Sequence, residues 1–333
     1  MLNKKNVPKV SVIVTVLSEA QTIIPLLNSL VAQTLSADEV IIADGGSEDG
    51  TVQVIEKFAK EHSSLNLYLL QKKGNRSVGR NAAIARAQND WIAITDAGCV
   101  TQPNWLEELV AKAESNSSIV IPAKAGIQLS KEFVIAGYYE ANPQTAFAAA
   151  VVPYVLVMPD QVDPNNFLPA TRSMLISKSA WQKVGGFNEE LSDNEDYAFA
   201  YALKKAQVVM SFTANAKVIW QPRSNLYQFF WMIFRFARGD IYAHILRPKV
   251  VLVFGRYLVA LFLLFVLLAV LHISTFGTFL IFLAGLLIYV FWSIKKNYRY
   301  APTAWFWLPI LQITADFAVM LGSLAGCWQL LSR

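Results

Sequence analysis

The spacing of apolar positions changes near residue 225. Before it, short apolar runs alternate with segments of helical period; after it, apolar residues follow one another almost without interruption. Val10–Val16 is a continuous, largely β-branched run, as a strand buried on both faces requires. Ala20–Gln33 sets Ile23, Ile24, Leu27, Leu30 and Val31 at helical spacing. Glu39–Ala43 reads as a second buried strand and Thr51–Glu61 as a second helix. Leu65–Leu70 (strand), Val78–Ala87 (helix) and Trp91–Thr95 (strand) follow. A β-α-β-α order of this kind predicts a parallel sheet with crossover helices. Ligands of such sheets gather at the carboxyl ends of the strands, which makes Thr15 to Glu19, Asp44 to Ser47 and Asp96 the candidate positions.

The C-terminal part holds three apolar stretches, Val250–Ile273, Thr275–Ile294 and Ala304–Leu331. Each has about the 20 residues that a helix needs to cross roughly 30 Å of hydrocarbon. Ahead of them, Leu226–Asp240 is dense in aromatics with Arg235 and Arg238 among them, the composition of an amphipathic helix lying in a membrane interface or packing on a soluble domain. Thr145–Met158 is apolar but too short to span and contains Pro153. It fits a core strand, a cleft wall or a membrane contact equally well.

Charge sharpens this division. The chain of 333 residues is 54% hydrophobic and 16% charged, with a formal net charge of +5. Much of the basic excess flanks the apolar stretches, at Arg235, Arg238, Arg247, Lys249, Arg256, Lys295, Lys296 and Arg299. That placement points to membrane topology and lipid headgroups, and not to nucleic acid. The connection around His272–Gly277 carries no Lys or Arg, whereas Lys295–Arg299 carries three. The positive-inside rule then puts Lys295–Arg299 and the N-terminal domain in the cytoplasm, and after three crossings the C-terminus outside. Met1–Val10 is polar, without the apolar core of a signal peptide. Cys99 and Cys327 lie in regions of opposite character and form no expected disulfide; the three histidines have no metal-ligand spacing. Asp316 stands inside the third apolar stretch, where a carboxylate is costly and needs a partner or a role.

Asp44-Gly-Gly-Ser-Glu-Asp-Gly-Thr51 has the make-up of a ligand-approaching strand-to-helix turn. Gly45 and Gly46 let a ligand come close, Asp44 accepts hydrogen bonds, and Ser47 and Asp49 cap the next helix. An ordinary turn has the same composition. Lys72, Lys73 and Arg76, with Arg80 and Asn81 on the following helix, offer positive charge for a diphosphate, or simply a solvated basic loop.

Taken in order, Val10-Ser-Val-Ile-Val-Thr-Val-Leu-Ser-Glu19, Asp44–Thr51, Gly79-Arg-Asn-Ala-Ala-Ile-Ala-Arg-Ala87 and Trp91-Ile-Ala-Ile-Thr-Asp-Ala-Gly98 resemble the inverting glycosyltransferase family two. Arg172-Ser-Met-Leu-Ile-Ser-Lys178, Val184-Gly-Gly-Phe-Asn-Glu189 and Asn194-Glu-Asp196 continue the likeness, which covers about residues 8–225. The resemblance implies a nucleotide-diphospho-sugar transferase (Rossmann-like) α/β domain with a mixed sheet, followed by an α-helical membrane domain. The expected division is 1–225 for the cytoplasmic transferase domain, 226–249 for the interfacial helix region and 250–333 for about three transmembrane helices.

The same resemblance places substrate at Thr15, Leu17, Glu19, Asp44, Gly46, Lys73, Arg76, Arg80, Asn81, Asp96, Ala97, Gly98, Glu195 and Arg223, with Glu19 and Asp44 at the base and ribose. Asp96 matches the first Asp of the family's Asp-x-Asp motif and is the metal position, and Asp196 matches the general base. A base is needed to take the acceptor hydroxyl's proton, and positive charge to stabilise the departing nucleoside diphosphate. Gly98 stands where the second Asp is usual, so a divalent cation (Mg²⁺ or Mn²⁺) rests on Asp96 and the donor's phosphates. Gln221-Pro-Arg-Ser-Asn225 lacks the Gln-x-x-Arg-Trp of processive relatives. The expectation is a hexosyltransferase-type enzyme of the cell envelope, in a bacterial or archaeal plasma membrane. It takes a nucleotide-diphospho-sugar donor and a lipid or lipid-linked acceptor, as in glycolipid synthesis. The rival readings are a processive or soluble-acceptor polysaccharide enzyme, a nucleotidyltransferase, and a non-catalytic membrane scaffold. The nucleotidyltransferase lacks its Gly-rich loop and lysine after the first strand, and the scaffold would not need Asp44, Asp96 and Asp196.

Overall fold

The computed structural model describes residues 8–116, 120–123, 126–129, 132–270 and 273–332. Most of the polar N-terminal segment, and Leu271 and His272 of the first predicted connection, lie outside the described residues. The chain divides into two compact units, one of residues 1–142 and 158–221, the other of 143–157 and 222–333.

The first unit opens with three β-α steps. Strand β1 (Val10–Val16) leads to α1 (Ile23–Val31), β2 (Glu39–Asp44) to α2 (Thr51–Glu61), and β3 (Leu67–Gln71) to α3 (Arg76–Arg86), ending at β4 (Trp91–Asp96). All four strands are parallel, in the spatial order β3-β2-β1-β4. Every residue of β2 is buried: the apolar run Val40–Ala43, as a strand covered on both faces requires, and also Glu39 and Asp44 at its ends. Helix α3 lies close on β1 because Gly79 has no side chain: a Cβ there would stand 3.0 Å from Thr15 Cγ2.

The other half of the sheet runs differently. After β5 (Cys99–Thr101) and α4 (Trp105–Ser115), β6 (Val120–Ala123) and β7 (Gly126–Leu129) form a separate two-stranded ribbon. Then β8 (Phe133–Ala141), β9 (Met174–Ser177) and β10 (Val209–Trp220) extend the main sheet to β3-β2-β1-β4-β9-β8-β10-β5. The pairs β4–β9, β8–β9 and β10–β5 are antiparallel, and β8–β10 is parallel with a bulge between Phe212 and Lys217. The sheet is therefore mixed. Its central core packs Ile13, Ile41, Ile92, Ile94, Val134, Met174 and Ile176 against Ala83 and Ile84 of α3. Helix α6 (Lys178–Lys183) follows β9, and α7 (Glu195–Lys205) adds Phe199 and Leu203 to the same core.

The second unit is helical. It contains α5 (Ala146–Val155), α8 (Leu226–Tyr242), α9 (Pro248–Phe265), α10 (Thr275–Asn297) and α11 (Trp307–Leu331). The apolar Thr145–Met158 segment is thus a helix and not a core strand, capped by the Thr145 side chain on the Ala148 amide. Three helices are long and apolar enough to cross a membrane: Pro248–Ala269, Thr275–Tyr300 and Trp307–Leu331. Asp316 is buried among them. It accepts from Arg256 (3.3 Å), Tyr257 (3.2 Å), Tyr289 and Gln312 (3.0 Å), and so draws on α9, α10 and α11.

Candidate active site

The first three strands end on one side of the sheet, and their loops are stitched together. Asp44, buried at the end of β2, accepts from the Gly46 and Ser47 amides at 3.0 Å each and from the Ser47 hydroxyl. Ser47 Oγ in turn accepts from the Ser18 amide at 2.8 Å, and Thr51 Oγ1 accepts from the Glu19 amide at 2.8 Å. Asp49 accepts from the Ala20 amide and from Thr51, bonds that hold its carboxyl below the usual range. Gly74 donates to the Gly45 carbonyl at 3.2 Å, which brings the third loop alongside. Gly46 adopts φ +104°, and the Lys73 stem lies over it, 3.3 Å from where a Cβ would be. Thr15, Leu17, Glu19, Asp44, Gly46 and Lys73 therefore belong to one lined-up rim. Within it Asp44 shapes the loop backbone, while Leu17 and Lys73 are exposed.

Beyond β4 lies a charge network. Arg76 and Arg80 are one helical turn apart on α3, so both point the same way. Arg80 is buried. It donates to Glu195 (2.7 Å), Asp96 (2.9 Å) and Thr171 (3.0 Å), with its guanidinium 5.4 Å from the Phe187 ring centroid. Burial works against the Arg80 charge, and Asp96 and Glu195 outweigh it, raising its pKa. Arg80 thus neutralises two carboxylates instead of facing solvent as a diphosphate contact. Arg76 stays largely exposed, with Nε 3.6 Å from Glu195. Burial alone would raise the Asp96 carboxyl, but Arg80, Arg172 and Arg76 hold it below the usual carboxylate range.

Asn81 is also placed otherwise than expected of a substrate contact. Its amide donates to Phe187 O (2.8 Å) and Glu189 (2.9 Å), and its oxygen accepts from Phe187 N (2.9 Å) and Trp181 Nε1 (3.1 Å). It clamps the Gly185-Gly186-Phe187 turn, whose glycines adopt φ +77° and +78°.

Glu195 and Asp196 open α7, where a helix N-terminus favours negative charge. Asp196 is half-buried. Burial first, and then Glu195, push its carboxyl above the ordinary range, against the pull of Arg172 and Arg80. Arg172, which sequence reasoning left without a role, stacks on Tyr139 (5.0 Å) and Trp220 (5.2 Å) and acts on both Asp96 and Asp196. Its one sequence signal is an arginine at the entrance to a buried strand. Ala97 is buried, Gly98 is exposed, and a Cβ on Gly98 would meet no atom within 4 Å. Burial, then Asp96, push the Cys99 thiol up to about 12, so it is inert. Arg223 belongs to the second unit, in the turn before α8.

Among the described residues no three His, Cys, Asp or Glu side chains gather as a metal site. Asp96 can supply one carboxylate, with Oδ1 already held by Arg80. A divalent cation fits here only as one shared with substrate oxygens, the usual manner of Mg²⁺ at phosphates.

Residues 11–149 match the family model described as Glycosyl transferase family 2. Succinoglycan biosynthesis protein ExoA of Rhizobium meliloti (strain 1021) is 27% identical over 232 residues, 68% of this chain and 68% of that protein. Cholesterol galactosyltransferase of Borreliella burgdorferi is 30% identical over 113 residues; the match spans 34% of this chain and 31% of that one. The solved structure of mannosyltransferase PcManGT from Pyrobaculum calidifontis, in complex with GDP-Man and Mn²⁺, has the same fold. It aligns with a TM-score of 0.65 over 98% of this chain and 88% of that chain, at 16% identity.

Proposed function

We propose that this chain, whose residues 11–149 form a glycosyltransferase family 2 domain, moves one sugar from a nucleoside-diphosphate donor to an acceptor at a membrane face, with inversion. The observation that carries the reading is the half-buried Asp196 carboxyl at the start of α7, beside the Asp96–Arg80–Glu195 network and Arg172. In this reading the Asp196 carboxylate takes the acceptor hydroxyl's proton. The acceptor oxygen bonds to the anomeric carbon as the bond to the donor's diphosphate breaks, and the nucleoside diphosphate leaves with that electron pair. Lys73, Arg76 and Arg172 supply positive charge to it, while Arg80 keeps Asp96 ionised and in place. A divalent cation, held by Asp96 and the donor's diphosphate, adds Lewis-acid charge at the leaving group when bound.

The acceptor proposed is a lipid or lipid-linked molecule, because apolar helices attach the enzyme to the bilayer. The basic Lys295–Arg299 cluster supports a cytoplasmic transferase domain. Purified protein is to be incubated with labelled nucleotide sugars and a panel of polyprenyl phosphates, polyprenyl-linked saccharides and glycerolipids. Label should enter the lipid phase, and Asp196→Asn should reduce transfer by about 10²–10⁴-fold. Transfer to soluble acceptors alone removes the lipid acceptor; full activity in Asp196→Asn removes the base.

A further inference from the structure

Helices α9, α10 and α11 all have the length and composition to span, yet they do not pack alike. From Leu258 on in α9, and up to Ile288 in α10, apolar side chains stand exposed on nearly all sides: Leu258, Phe262 and Phe265 on one, Phe279, Leu283 and Leu287 on the other. A third span running beside this hairpin would cover one side of it along its length. Instead α11 meets the hairpin at one short stretch. Arg256 and Tyr257 reach Asp316, Tyr289 reaches Asp316, and Lys296 donates to Gln312 at 3.1 Å. All of these contacts fall within Gln312–Phe317 of α11.

The true partner of α11 is α8. A Cβ on Gly322 would come 2.3 Å from Phe234 O, and one on Gly326 would come 2.8 Å from Arg238 O. Four residues on one helix correspond to four on the other, so the two run parallel, backbone against backbone, at a small-x-x-x-small seam. Gly322 and Gly326 lie about 23–29 Å along α11 from Trp307 at 1.5 Å per residue. Were α11 to cross from its start, the neighbouring part of α8 would sit in the far half of the hydrocarbon. That part carries exposed Arg235 and half-buried Arg238, and the Asp240–Arg247 ion pair (2.6 Å) closes the turn after it.

We propose that only the α9–α10 hairpin crosses the bilayer, and that α11 lies along one leaflet together with α8. The outer stripe of α11 is Ile310, Phe317, Leu321, Leu324, Trp328 and Leu331, all exposed at helical spacing, and it faces the acyl chains. The Arg256–Asp316–Tyr289 cluster then sits at headgroup depth, where charge is tolerated, and Ser332 remains on the side of the first unit. Two crossings leave the positive-inside placement of Lys295–Arg299 unchanged. The inference rests on membrane anchoring but not on any particular sugar or acceptor.

Single cysteines in a Cys327→Ser background test it in sealed vesicles of known orientation; the buried Cys99 thiol does not compete. A membrane-impermeant maleimide should label Ser332→Cys from the same side as Glu61→Cys, and Thr275→Cys from the opposite side. A spin label at Leu321→Cys should be relaxed by lipids labelled near the headgroup more than by those labelled at the chain end. Labelling of Ser332→Cys together with Thr275→Cys, labelling of all three from one side, or a bilayer-centre depth at Leu321→Cys overturns the proposal. None of these readouts needs sugar transfer, so a failed acceptor assignment leaves it standing.

Discussion

Asp196 holds its proton to a higher pH than an ordinary aspartic acid because burial and Glu195 both disfavour its charge, while Arg172 and Arg80 oppose them. Base catalysis needs the ionised form, so kcat/KM should fall as pH drops through this raised value, above the usual carboxylate range. Removing Arg172 takes away one of the groups that lower it, so in Arg172→Met the acid limb should move to higher pH. A pH profile of the variant that overlays the native one would show that Arg172 does not act on the base. The same scale offers a test of the metal position. Gly98 has open space and no unusual backbone angle, so Gly98→Asp should fold normally, within about 0.5 kcal/mol. It should also lower the divalent-ion concentration needed for half activity. No change in that concentration would mean that the position does not reach the cation. Strand periodicity was enough to put Asp44 and Asp96 at strand ends, and the family resemblance alone pointed to Asp196, which the fold places at the start of α7. Neither was enough for Arg80 or Arg172, whose roles depend on partners 16 to 115 residues away for Arg80 and on two aromatic faces for Arg172.

At the scale of elements, the turn between α6 and α7 shows how a conspicuous motif can serve structure. Gly186 at φ +78° would bring a Cβ within 2.8 Å of Asn81 Oδ1, and that oxygen satisfies two buried donors around the turn. Asn81→Ala leaves both donors unsatisfied, at about 1–3 kcal/mol for each such group. We expect a lower melting temperature for the full-length protein in detergent, with donor KM little altered. A raised KM at unchanged melting temperature would restore Asn81 to the substrate. The β1–β4 half of the sheet was legible in the sequence, since buried parallel strands are unbroken apolar runs and α2 matched its predicted bounds at Thr51–Glu61. The antiparallel return was not. β5 has three residues, β10 is bulged, and neither shows a clean period. The Thr145–Met158 run stayed open for a related reason: an apolar stretch of about fourteen residues has no polar face to reveal its period, and its core-strand alternative gave way to α5.

For the molecule as a whole, hydropathy located the apolar helices but not their partners. Gly322 and Gly326 stand four residues apart in the third apolar stretch, and the fold shows that α8 lies against both. Asp316 is the matching case for charge. Its carboxylate gathers Arg256 from α9, Tyr289 from α10 and Gln312 from α11, and Arg256 also lies 5.3 Å from the Tyr289 and Trp292 rings. Asp316→Ala would leave the Arg256 charge and three neutral donors without their shared acceptor. Breaking a buried pair in this way costs about 3–5 kcal/mol, whereas replacing both partners by apolar residues is often close to neutral. Arg256 is partly exposed, so the lower end of that range applies. Asp316→Ala should therefore lower the melting temperature of the detergent-solubilised protein, and the double variant Arg256→Met/Asp316→Met should regain most of the loss. If the two single losses simply add in the double variant, the cluster is not a coupled unit. The three helices would then be held by their apolar contacts alone.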